Sequence, residues 1–359
     1  MQRAIECLRL DKLFVMPAHT PPHKPYKTLS SNADRLTMCR LAFADMENVE
    51  VSDYEIAQGG TSYTYLTTEY FRSLYPTAEI FFLVGTDMLR NFPFWKNPEA
   101  ILKNVHLAVC GRNDKDEWWE QEQRAFTQSF GCPFVRVDYN GEDVSSTKIR
   151  VLAGAGMRLN EYVPTQVEGY IQQKGLYQIE NADRALALEK EARRQHSVRV
   201  AELAAKRALQ LKIPESKAIA AALFHDCAKN LEKDSPYLEG FALPTEWGEV
   251  PSTVYHQFAG AYVAEHTFGV SDEDVLNAIR YHTSAREDMS ELEKLIFLAD
   301  MLEEERSYEG VELLRKLFWQ GHGLDECLEE ALFQTLEFLK TKKADIYPLT
   351  QKAYEFYKK

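Results

Sequence analysis

The chain has 359 residues, 45% of them hydrophobic and 27% charged, which is ordinary globular material for two or three domains. No run approaches the roughly 18 to 20 apolar residues of a membrane helix, and the opening MQRAIECLRLDKLF, broken by an acid and two arginines, is no signal peptide, so a cytoplasmic protein is expected. The net charge of −13 divides into −3 over residues 1–177 and −10 over residues 178–359, without the clustered positive charge that a nucleic-acid partner demands. An acidic second half suits bound metal cations. The six cysteines are scattered with no C-x-x-C pair, so they read as reduced.

In chain order, short apolar runs alternate with helical patterns through the first half. KLFVMPA (12–18), EIFFLVG (79–85), VHLAVCG (105–111) and PFVRVDY (133–139) read as buried strands, and NADRLTMCRLAFAD (32–45) and TYLTTEYFRSLY (64–75) as helices. Buried strands alternating with helices predict an α/β domain with a doubly wound, mostly parallel sheet. The helix opening in VSSTKIRVLAGAGM (144–157) has a serine cap and free N–H groups suited to an anion, with Lys148 and Arg150 close by.

The second half carries no strand signal. ALALEKEARRQHSVRVAELAAKRALQL, ESKAIAAALFHDCAKNL, PSTVYHQFAGAYVAEHTF, DEDVLNAIRYH and SELEKLIFLADMLEEE are all helical in period, so an all-α bundle is expected after a seam at 178–184. Five histidines stand in that half upstream of Asp300. Without His266 they form an ordered series with the acids: His196, His225-Asp226, His256, His282, Asp300. Each lies on a different predicted helix, and bundle helices can converge side chains on one interior point. Imidazoles with carboxylates suit iron, manganese, zinc or cobalt rather than a soft thiolate site. A buried Asp226 costs several kcal/mol unless compensated, and divalent cations would compensate it.

The order H…HD…H…H…D resembles the HD superfamily of metal-dependent phosphohydrolases. LFHDCAKN, YHQFAGAYVAE and VLNAIRYHTSAREDMSELEKLIFLADMLEEER are similar to its YqeK-like branch, the symmetrical diadenosine tetraphosphate hydrolases, over nearly all of residues 185–345. The resemblance implies a helical-bundle HD domain with two divalent metals, iron foremost with manganese or another as alternatives, that cleaves diadenosine tetraphosphate into two ADP. It implies that His196, His225, Asp226 and Asp300 hold one metal and that His256 and His282 hold the second, with Asp226 shared. Two such metals generate a hydroxide near neutral pH and clamp phosphoryl oxygens. Lys229, on the expected helix face of His225 and Asp226, and Arg286 are candidate catalytic cations for the phosphates, with Arg306 a further one. His266 and His322 match no motif position and are expected to be structural. Where the family continues its last motif as I-E-P-x-R, this chain has Leu302-Glu303-Glu304-Glu305-Arg306.

The first half has its own likeness. PAHTPPHK (17–24), DYEIAQGGTSYTYLT (53–67), FLVGTDMLRNFPFWKN (82–97), HLAVCGR (106–112) and the VSSTKIR segment resemble NadD-like nicotinate mononucleotide adenylyltransferases over residues 1–177. The resemblance implies ATP phosphates at Ser145, Ser146, Thr147 and Arg150, the nicotinate nucleotide at Tyr63, Thr64 and Trp95, and Mg for an active transferase. That family opens with a strand and G-G-[ST]-F-[DN]-P-x-H-x-G-H, which this sequence lacks. His19 and His23 match the P-P-H-K segment instead. The expectation is an in-frame upstream strand and motif, or else a remnant domain, and a central strand missing from the sheet would expose two strand edges. The expected protein is a fusion enzyme of nucleotides (diadenosine tetraphosphate, ATP and nicotinate mononucleotide), with no nucleic-acid or membrane partner and homo-oligomerisation left open. Two alternatives are an HD phosphohydrolase of another nucleotide and a nucleotide-responsive regulatory module with a structural metal.

Overall fold

The computed structural model describes residues 1–21, 30–111, 116–139, 144–243, 248–321 and 323–358. His23 and His322 lie outside them. The described chain forms two compact units, one ending before residue 140 and the other running from Val144.

The first unit contains α1 (Gln2–Leu8), β1 (Leu13–Val15), α2 (Asn32–Ala42), β2 (Val49–Val51), α3 (Tyr54–Gln58), α4 (Thr64–Leu74), β3 (Phe81–Gly85), α5 (Thr86–Asn91), α6 (Pro98–Asn104), β4 (His106–Gly111), α7 (Asp116–Phe130) and β5 (Val135–Asp138). Among the described residues all strand pairs are parallel, as alternating strands and helices dictate. The sheet comes in two pieces, β1-β2 and β3-β4-β5, rather than as one continuous sheet. Side chains alternate across the larger piece. Val84, Leu107 and Val109 meet Trp119 and Phe126 on one face, while Phe81, Leu83, Ala108 and Val137 meet Ala4 of α1 on the other. Strand β2 was not among the expected strands: only three residues long, with Glu50 at its centre, it carries too short a pattern to read.

The second unit is all helical: α8 (Ser146–Gly154), α9 (Thr165–Lys174), α10 (Ala182–Leu186), α11 (Glu191–Ala208), α12 (Glu215–Phe224), α13 (Ser252–His266), α14 (Glu273–Arg280), α15 (Glu291–Leu302), α16 (Val311–Trp319), α17 (Asp325–Thr341) and α18 (Pro348–Tyr357). Helices α8 and α9 belong to this unit, which differs from the seam expected at 178–184. The reason is packing. A Cβ on Gly154 would lie 3.2 Å from both Ile179 Cγ1 and the Tyr177 carbonyl and 3.4 Å from Ile219 Cγ2, so the 177–179 segment is pressed onto α8 and α12 and is no free linker.

Two expected helices are shorter than their patterns. The run 185–211 breaks before Glu191, where the Lys190 N–H donates to Asn230 Oδ1 at 3.2 Å and Glu189 turns inward with 5% exposure. Helix α12 stops at Phe224, not after Leu231. Residues 225–230 continue in tighter turns, with Cys227 N–H to Phe224 O at 3.1 Å and Lys229 N–H to Asp226 O at 2.9 Å. Chain stops and starts around the bundle are capped locally: Ser290 and Glu293 form a capping box on α15, and the Asp272 carboxylate accepts from the N–H groups of Asp274 and Val275 on α14.

Candidate metal centre

Five elements deliver the histidine and aspartate series to one buried point. His196 comes from the second turn of α11, His225 and Asp226 from the tight turns just past α12, His256 from α13, His282 from just past α14, and Asp300 from α15. Their ligand atoms form three overlapping groups, each within 4.8 Å: His196, His225 and Asp226; His225, His282 and Asp300; Asp226, His256 and His282. Asp226 is 1% exposed and sits at the middle, with Oδ2 3.4 Å from His225 Nε2, and with Oδ1 3.3 Å from His256 Nε2 and 3.5 Å from His282 Nε2.

The donor set calls for a cation. His282 Nδ1–H donates to the Ile279 carbonyl at 2.8 Å, which leaves the Nε2 lone pair facing inward. Burial lowers the pKa of His282, and it takes that of His256 down to about 4, so both rings are neutral near pH 7. The two Nε2 atoms lie 3.1 Å apart, beside a carboxylate oxygen. Electron-rich atoms converging in a dry interior repel one another unless a positive charge sits among them. His225 Nε2 and both oxygens of Asp226 are buried without a well-aligned hydrogen bond, although Arg193 Nη1 approaches Asp226 Oδ2 to 2.9 Å. These residues fit a divalent metal. Burial opposes protonation of His225, yet Asp226, Asp300 and Glu189 outweigh it and raise its pKa to about 9. Asp226 and Asp300 are held well below the ordinary carboxylate range despite burial, by His225 and its fellow imidazoles in the first case and by His196 and His225 in the second.

Cations border the cluster. Lys229 Nζ lies 2.8 Å from His256 Nε2 and 3.9 Å from Asp226 Oδ1, and burial lowers its pKa. Arg306 Nη2 donates to Asp300 Oδ1 at 2.6 Å. Arg286 is placed elsewhere: its Nε and Nη2 are spent on both oxygens of Glu293, at 2.7 and 2.8 Å, and it covers the Tyr281 ring. The capping carboxylate of α15, 1% exposed, is what draws it away. His266 is exposed and stacks on Tyr262.

Sequence reasoning passed over four residues here. Arg193 and Glu303 each stand one helical turn from a predicted ligand, His196 and Asp300, and that spacing was the available signal. Gln257, next to His256 and fully buried, accepts from the Thr283 and Ser284 N–H groups at 2.9 Å and donates to Ser284 Oγ at 2.8 Å, clamping the turn that carries His282. Glu189 accepts from Ser197 Oγ at 2.9 Å, and burial pushes its pKa up to about 7. No local pattern marks Gln257 or Glu189.

The residues named for the first half are also placed. Tyr63 N-caps α4, and its ring lies 4.2 Å below Lys96 Nζ, while Trp95 packs on Phe92 and Phe82 at the rim of the sheet core. Thr64 opens α4. In the second unit, Ser145 caps α8 by accepting from Lys148 N–H at 3.1 Å, Ser146 and Thr147 open that helix, and Thr147 Oγ1 accepts from Arg150 at 3.1 Å. Arg150 is gripped by both oxygens of Glu215 on α12, at 2.6 and 2.8 Å.

A cytidylyltransferase-like parallel-sheet unit and a helical HD domain define the class. The cytidylyltransferase-like family pattern matches residues 1–152 and the HD domain pattern residues 193–305. A Mycoplasma genitalium protein named "Probable nicotinate-nucleotide adenylyltransferase/Ap4A hydrolase" is 30% identical over 321 residues, covering 87% of this chain and 85% of that protein. The chain belongs to this family of two-domain adenylyltransferase/HD hydrolase proteins. A Clostridium tetani protein named "Probable nicotinate-nucleotide adenylyltransferase" is 31% identical over 177 residues, covering 49% of this chain and 88% of that one. A crystal structure of a Clostridium acetobutylicum protein described as a "predicted HD superfamily hydrolase involved in NAD metabolism" matches 49% of this chain and 94% of that one, at 34% identity and a TM-score of 0.45.

Proposed function

We propose that the HD domain hydrolyses diadenosine tetraphosphate symmetrically into two ADP, and that His196, His225, Asp226 and Asp300 hold one divalent metal while His256 and His282 hold another, with Asp226 between them. The observation that carries this reading is Asp226 itself, whose two buried oxygens face different histidines. Bound metals would supply a hydroxide near neutral pH and charge to neutralise phosphoryl oxygens. The chain's own residues do the rest. Lys229, Arg193 and Arg306, each about a third exposed beside the carboxylates, meet the polyphosphate. Desolvation makes each such contact stronger than it would be in water. Symmetry of the product requires two phosphates on each side of the attacked bond.

The test is product analysis after loading the protein with iron or manganese under reducing conditions. ADP as the sole nucleotide product supports the reading, whereas ATP plus AMP means a different phosphate register. No cleavage of this substrate alongside hydrolysis of another nucleotide would reassign the HD domain. For the first half, the family relation supports adenylyl transfer from ATP to nicotinate mononucleotide, with Tyr63, Thr64 and Trp95 at the nicotinate nucleotide and Ser145, Ser146, Thr147 and Arg150 at the phosphates. Formation of the dinucleotide with Mg from those two substrates tests it.

A further inference from the structure

Three imidazoles of the cluster are held through Nδ1, in two different ways. His225 and His282 donate Nδ1–H to the backbone carbonyls of Ala222 at 2.6 Å and Ile279 at 2.8 Å, three residues earlier in each case. Those acceptors are neutral and belong to the main chain. His196 instead presents Nδ1 to a side chain, Glu303 Oε1, at 3.1 Å.

Glu303 is 3% exposed and closes α15, three residues after Asp300. Its Oε2 accepts from Arg199 Nε at 2.7 Å and from the Glu305 N–H at 3.0 Å, and Arg199 reaches on to Glu305 with Nη2 at 2.7 Å. A carboxylate so paired is fixed in place and stays an acceptor. Both ring nitrogens of His196 thus face carboxylate oxygens, Nδ1 that of Glu303 and Nε2 that of Asp300 at 2.8 Å, and a metal held by Nε2 and Asp300 would leave the ring proton on Nδ1, toward Glu303.

We propose that Glu303 is a positioning residue for the metal held by His196 and Asp300: it fixes the His196 tautomer and raises the basicity of Nε2, while Arg199 keeps Glu303 in place. This rests on the two-metal reading above. It assigns Glu303 no contact with metal or substrate. Arg199, on the far side of Glu303 from the cluster, enters only through it.

The test is manganese titration of the full-length, chelator-stripped protein by calorimetry, with unfolding midpoints measured in parallel. Wild type should bind two equivalents. Glu303→Gln, which keeps an acceptor but loses the charge, should weaken one of the two sites about tenfold, and Glu303→Ala should weaken the same site up to about 100-fold. The other site should hold its affinity. Arg199→Gln should fall between wild type and Glu303→Gln. If Glu303→Gln and Glu303→Ala both lower the unfolding midpoint while both sites stay within twofold of wild type, Glu303 is merely a helix-end ion-pair partner and the inference fails. Absence of manganese binding by the wild type would remove the metal reading itself. Equal weakening of both sites would show general loosening of the bundle and also overturn the proposal.

Discussion

The Arg193 guanidinium lies 2.9 Å from Asp226 Oδ2, and Asp226 is 1% exposed. Breaking a buried ion pair by removing one partner costs about 3 kcal/mol or more, because the other charge is stranded. Arg193→Gln should therefore destabilise the chelator-treated protein by roughly that amount, toward the lower side because Arg193 is partly exposed. Saturating manganese should restore most of the loss, since a cation bound only to the folded state takes over the compensation. Thermal unfolding with and without metal checks this. An equal loss under both conditions would mean that Arg193 acts apart from the metal.

Lys229→Met should leave metal content unchanged while turnover falls. Its ammonium borders the ligands without being one, and loss of a preorganised charge at developing phosphoryl charge costs roughly 2 to 4 kcal/mol, about 30-fold to 1000-fold in rate. Elemental analysis beside kinetics separates the two effects. Asp226→Ala, by contrast, should abolish metal binding and hydrolysis together.

Gln257→Ala should strand the buried Ser284 N–H and the part-buried Thr283 N–H, while the Ser284 hydroxyl keeps its bond to the Ala285 carbonyl. At about 1 kcal/mol or more for each orphaned N–H, roughly 2 kcal/mol of stability should be lost in denaturant unfolding. Because the clamp carries the turn of His282, metal affinity should fall as well. Unchanged stability would mean that the turn is held by its other contacts.

Asp272 caps α14 and pairs with Lys217 at 2.8 Å. Asp272→Ala should cost about 1 kcal/mol, mostly from the cap, because a pair this exposed adds little. Burial works against the charged form of Asp272, but Lys217 and the capped N–H groups prevail and its pKa is lowered from 3.8. A lowered folded-state value means that the pH-dependent part of the stabilisation is present above pH 3.8 and declines as pH falls through the folded-state value. The difference between wild type and variant in urea unfolding should therefore shrink below pH 3.8 and be constant above it.

The α/β and all-α halves were legible because their periods differ: continuous apolar runs for buried strands and a 3.6-residue repeat for helices are set by the backbone geometry of each element alone. The same holds for the candidate ligands, since histidine and aspartate inside apolar helical patterns, as in ALFHDCAKNL, are conspicuous in one dimension. What the tertiary structure decided is everything that depends on what a side chain meets. Arg286 and Lys229 look alike in sequence, yet the Glu293 capping box takes one while the other stays beside His256. Gly154 decided that 177–179 packs on the bundle, through a contact with residues 25 and 65 positions further along the chain, at Ile179 and Ile219. One-turn spacing to His196 and Asp300 marks Arg193 and Glu303 in the sequence, but their contacts with Asp226 and His196, like those of Gln257 with Thr283, depend on distances set by folding. The physical reason is one of range. Helix and strand periods arise from neighbours within a few positions, whereas the compensation of a buried charge depends on whichever partners the folded chain places within a few ångströms.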